Sequence, residues 1–131
     1  MKILLLGTIL LFITGLVMPA AAADDPNISG DLRENIHSAM SSHVESNTYD
    51  GDYIIYDAVE GKLLELEFKD LHSGIVKKGN FYVSCADFTD DDGTLYDIDF
   101  LVVEKQGQLK VIEALVHSVS GKKRQYQVEE D

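Results

Sequence analysis

Three hydrophobic patterns follow one another along the chain. Positions 3–17, "ILLLGTILLFITGLV", form an apolar run that ends in Pro19 and the small residues Ala20 to Ala23. The segment "DPNISGDLRENIHSAMSSHVESNT" then places Leu32, Ile36, Met40 and Val44 four apart, the spacing of an apolar stripe on one face of a helix. Asp31 with Glu34 three residues later predicts an N-terminal capping box, and Asp50-Gly51 closes the segment. From there the period falls to two. "DYIIYDAV", "KLLELEF" continued by "HSGIV", "FYVSCADF", "LYDIDFLVV" and "LKVIEALVHSVS" read as strands separated by glycine-containing turns. A bulge is expected at Ser73-Gly74, beside His72. These elements predict an α+β fold: an N-terminal amphipathic helix packed on a four- to five-stranded antiparallel meander sheet. The domain is expected over residues 24–119, with 120–131 a charged C-terminal tail or short edge strand.

The first apolar run has the form of a secretory signal peptide, with Lys2 before it and an A-x-A cleavage site at its end. It is shorter than the roughly 20 apolar residues a membrane helix needs. Cleavage after the leader, residues 1–23, predicts a periplasmic or secreted protein with no membrane attachment. Removal of the leader takes away Lys2 and no acid, leaving ten basic against 23 acidic residues and a formal net charge of −13. Such a field repels nucleic acid, and "KKR" at Lys122 to Arg124 is the sole basic cluster, so a nucleic-acid partner is excluded. Cys85 is the single cysteine, which rules out an intramolecular disulfide.

In element order the chain resembles the cystatin-like and nuclear-transport-factor-like small α+β folds, although the inhibitory Gln-x-Val-x-Gly loop of true cystatins is absent. "FYVSCADF" with "DGTLYDIDF" also looks like a stretch found in uncharacterised small exported bacterial proteins. Neither resemblance implies an activity.

The densest candidate chemistry is "SCADFTDDDGTLYDIDF", with six aspartates in 17 residues. Reading Asp92-Gly93 as a two-residue type I′ turn places Ala86 opposite Asp99 and Cys85 opposite Phe100. Cys85 then belongs to the apolar face, as a small buried side chain. Extending the Gln106-Gly107 turn puts Ala114 on the other side of Asp99. Asp97, Asp99, Ser84, Leu101 and Ile112 then share the face away from Cys85, forming with His72 a ligand or partner surface. A carboxylate between two alanines sits in a recess, where desolvation raises its pKa. At the hairpin tip, an EF-hand is excluded because Phe88 occupies its first ligand position. A looser Ca²⁺ site through Asp87, Asp90 and Asp92 stays open. None of the four histidines has a local metal-ligand spacing. No cofactor beyond that Ca²⁺ is implied, and no catalytic residue is assigned.

The reading that unites these features is an exported binding or interaction module. It would meet a protein partner or a second copy through its open sheet face and Asp-rich hairpin edge. One alternative is a small enzyme with a curled-sheet pocket using Asp99 or His72 as acid or base. The other is a divalent-cation-binding module.

Overall fold

The computed structural model describes residues 23–125; residues 1–22 of the leader and the last six residues of the tail lie outside the described residues. One helix, α1 (Gly30–Ser46), precedes seven antiparallel strands in meander order. They are β1 (Thr48–Tyr49), β2 (Asp52–Asp57), β3 (Lys62–Lys78), β4 (Phe81–Thr89), β5 (Leu95–Lys105), β6 (Gln108–Val119) and β7 (Lys122–Lys123). The α+β class stands as expected, but the count of four to five strands does not. Two-residue strands at either edge, β1 and β7, extend the predicted ladder, and the helix starts at Gly30 rather than at the head of the chain. No helix among the described residues is long and apolar enough to cross a membrane.

The stripe on α1 buries Ile36, Met40 and Val44, with Leu32 packed at the margin. The helix begins after Ser29, so Asp31 falls inside the first turn, where its charge opposes the positive helix end rather than capping it. The helix covers a sheet face made by Leu66, Ile75, Ala86, Phe88, Ile98, Phe100 and Val102. At its centre Tyr53 stacks on Phe88, with ring centroids 4.8 Å apart. His43 hangs from the helix over this layer, its Nε2 3.1 Å from the Tyr53 hydroxyl. Burial pushes that imidazole below its ordinary pKa and the Tyr53 phenol above its own.

The β4–β5 turn sets which residues face the helix. Its tip is one residue longer than a two-residue turn: the Asp90 carboxylate accepts the amides of Asp92 and Thr94, and Gly93 takes φ +77°. The register therefore slips by one from the expected pairing. Cys85 lies opposite Asp99, Ala86 opposite Ile98 and Ser84 opposite Phe100. A one-residue slip turns a whole strand over relative to its neighbour. The Gln106-Gly107 turn forms as expected, with positive φ at both residues, and pairs Val102 with Val111. Two bulges in β6 then move Asp99 from Ala114 to Leu115 and leave His117 as an extra residue between paired neighbours.

A larger bulge interrupts β3, where Leu71 pairs with Ala86 and Ile75 with Ser84. His72, Ser73 and Gly74 thus oppose the single residue Cys85. Three interactions brace this segment. The Ser84 hydroxyl donates to the Gly74 carbonyl at 2.7 Å, and Arg33 donates to the Ser73 carbonyl. Asp24 and Asp25 bond both backbone groups of Ile75. Arg33 and the Ile75 amide hold the Asp24 carboxyl below its ordinary pKa, the amide contributing most.

Candidate functional site

The face of the sheet away from α1 carries a connected set of ionisable side chains. On β4, Cys85 and Asp87 alternate with the core residues Ala86 and Phe88; on β5, Asp97 and Asp99 alternate with Ile98 and Phe100. With the register as observed, all four share the outer face. The β3 bulge turns His72 onto it from one side, and the β6 bulge turns His117 onto it from the other.

His72 stands between a thiol and a carboxylate. Its Nδ1 is 2.8 Å from Cys85 Sγ, and its Nε2 is 2.9 Å from Asp87 Oδ1. His72 Nδ1 or Nε2, Cys85 Sγ and an Asp97 oxygen lie within 4.8 Å of one another. Next to them His117 Nδ1 meets Asp99 Oδ2 at 2.9 Å. Burial differs within the set. The His72 side chain keeps 22% of its surface, whereas Asp99 is fully buried and Cys85 retains 2%.

Three carboxylates line up across the ladder, Asp70 opposite Asp87 and Asp87 opposite Asp97. Like charges in register repel. Burial pushes Asp97 up to about 6, with the facing His72 and His117 acting downward and Asp99 and Asp87 upward. Asp97 Oδ1 is buried and takes no hydrogen bond among the described residues. An acceptor left in that condition costs free energy unless a proton or a cation meets it.

The surface expected from the sequence is partly dissolved. Asp97, Asp99 and His72 come together. Ser84 points to the opposite, helix-covered side, where it braces the β3 bulge. Leu101 is half-buried on the outer face, and Ile112 is 56% exposed at the first β6 bulge, away from the ionisable group. The recess between Ala86 and Ala114 does not form, because the longer tip loop and the β6 bulges replace both alanines as partners of Asp99. The trio of Asp87, Asp90 and Asp92 does not assemble either. Asp87 turns to His72, Asp90 is occupied by turn amides, and Asp92 is exposed at the tip.

Two members of the group escaped the sequence reading. The assumed turn length puts Cys85 on the apolar face, and an unbulged β6 gives no sign that His117 reaches the outer face. The signal that would have found Cys85 lies in polarity matching. Pairing the alternation of Cys85 and Asp87 with that of Asp97 and Asp99, polar to polar, selects the observed register over the assumed one.

Comparison of the chain with protein-family models, with curated proteins and with solved structures finds no match.

Proposed function

We propose that this chain is an exported metal-binding protein, whose outer sheet face holds a divalent ion of the zinc class through His72, Cys85 and Asp97. The observation that carries the reading is the convergence of an imidazole nitrogen, a thiol sulfur and a carboxylate oxygen within 4.8 Å from three neighbouring strands. Zinc bonds of about 2.0–2.3 Å put the ligand atoms of a tetrahedral site roughly 3–4 Å apart, which small side-chain movements here supply. A sulfur and nitrogen donor set favours zinc, cobalt or copper over calcium or magnesium.

Two further features support it. Metal-ligating histidines almost always give their second ring nitrogen to a carboxylate, as His72 does to Asp87. A cation also satisfies the buried Asp97 oxygen and relieves the row of facing aspartates. Three protein ligands leave one position for water or a small ligand. The exported location rests on the leader, and a cystatin-like frame on the order of one helix and a curled meander.

Cobalt titration of residues 24–131 tests the proposal. The expected result is a thiolate-to-metal absorption band, competed away by zinc, with a metal-dependent rise in melting temperature. Cys85→Ser, His72→Ala and Asp97→Asn should each weaken binding by about 100-fold. Absence of both band and thermal shift in the wild-type chain sinks the idea.

A second reading draws on the same atoms. Cys85, His72 and Asp87 form a nucleophile, base and orienting carboxylate in line. It is the weaker one, because Cys85 is nearly inaccessible and the clefts of about 670, 640 and 320 Å³ lie elsewhere. Rapid alkylation of Cys85 by iodoacetamide at neutral pH would favour it. The docking-face reading has less support still, since Ser84 turns to the helix side and of Leu101 and Ile112 only Ile112 is exposed.

A further inference from the structure

Lined by none of the ionisable side chains just described, a cleft of about 670 Å³ is enclosed by the β2–β3 hairpin and the β6–β7 hairpin. The two are not ladder neighbours; the sheet curls until an ion pair joins them. Asp57, at the end of β2, accepts Arg124 Nη2 at 2.7 Å, and Glu60 lies 3.6 Å from Arg124 Nη1. Both acids lining the cleft are therefore directed at one cation. Lys62, Lys122 and Lys123 also line it.

That makes four of the ten basic residues that follow the leader, gathered in one cleft of a chain whose formal net charge is −12. Three of them, Lys122 to Arg124, are consecutive, and the fold adds Lys62 from the other hairpin. Lys62 and Lys122 make no ion pair among the described residues. They come from different hairpins, Lys62 paired with Asp57 across one turn and Lys122 with Val119 across the other. Val59, Val119 and the ring of Tyr96 supply an apolar wall between them. The volume falls in the usual range for small-molecule sites, about 300–1,000 Å³. The chain as a whole is strongly acidic, so its net field disfavours anions and local cations are needed to hold one.

We propose that this cleft binds a small organic anion carrying at least two negative charges on an apolar body, its charged groups bridging Lys62 and Lys122. The charges are carboxylates or phosphates, since both suit ammonium donors. The inference does not rest on the metal site.

Isothermal titration of the chain with tricarballylate and with inorganic pyrophosphate, at low salt and at about 150 mM salt, tests it. Saturable one-to-one binding that weakens with salt is expected for at least one probe, and the preferred probe identifies the charged group. Lys62→Ala/Lys122→Ala should lose about tenfold or more in affinity with unchanged circular dichroism, both residues being exposed. Lys105→Ala/Lys110→Ala removes the same charge at a distant turn and should leave affinity within about twofold. Cys85→Ser should also bind normally, which separates this site from anion capture by a bound metal. No binding of either probe at low salt overturns the proposal. So does equal loss in the two double variants, which would mark general charge attraction, or loss in Cys85→Ser.

Discussion

Asp97 and Asp99 stand two residues apart on one strand face, yet their surroundings divide their roles. Asp99 is sealed in and bonded to His117, while Asp97 keeps a buried oxygen that no described group meets. Burial chiefly raises Asp97 to about 6 from the ordinary 3.8, and this fixes the sign of its effect on stability. Below about pH 4 both the folded and unfolded chains hold its proton, and it contributes nothing. Between about 4 and 6 the folded state keeps a proton the unfolded chain has released, so stability falls as pH rises. Above that window the penalty is constant, on the order of 1–2 kcal/mol after allowance for solvent. Asp97→Asn should therefore stabilise the metal-free protein, by an amount absent near pH 4 and complete above pH 7, in urea unfolding. The same substitution should abolish tight cobalt binding. A side chain kept for structure alone would not show that opposition. Asp87→Asn keeps all three ligands but loses the carboxylate on His72 Nε2, and cobalt affinity should drop about 10- to 100-fold. Residue types were legible in the sequence, which singled out Asp97, Asp99 and His72. Their company was not, because a side chain's neighbours across a sheet depend on turn length to the single residue.

The elements that make the site are the irregular ones. Helix and strand periods gave the order of α1 and of β2 to β6 directly, and the bulge beside His72 was signalled by Ser73-Gly74. The tip loop differs from the expected turn because Asp-Gly suits both a two-residue turn and the last positions of a longer one, and only the Asp90 carboxylate bonding two amides decides between them. The β6 bulges leave no glycine or proline to mark them. Within β3, the bulge is set by Ser84 from the far side of the sheet, through its bond to the Gly74 carbonyl. Ser84→Ala strips a buried carbonyl of its donor and should cost about 1–3 kcal/mol. In a domain near 100 residues this lowers the melting temperature by roughly 4–8 °C per kcal/mol. His72 lies two residues from that carbonyl, so cobalt affinity should fall in the same variant although Ser84 faces the other way. Unchanged affinity with a lowered melting temperature would show that the bulge holds His72 without this brace.

At the scale of the whole molecule, the sequence predicted one helix followed by a meander but not the curl that brings the ends of the sheet together. Curvature is carried by long-range contacts that no local pattern encodes. Asp57 and Arg124 are 67 positions apart, and the edge strands β1 and β7 are too short to show any alternation. Asp57 is 1% exposed; its Oδ1 accepts the amides of Val59 and Glu60, and its Oδ2 accepts Arg124. Arg124→Ala leaves that carboxylate buried with one oxygen stripped, a situation that costs about 3–5 kcal/mol for a buried pair broken on one side. Replacing both partners by neutral groups of similar size removes the stranded charge as well as the attraction. Asp57→Asn/Arg124→Met should therefore be more stable than Arg124→Ala alone, despite carrying one more change. Urea unfolding of the wild type, Asp57→Asn, Arg124→Met and the double variant gives the coupling between them. A coupling near zero, with the single losses simply adding, would mean that the hairpins stay together without this ion pair and that the curl is set by the core beneath.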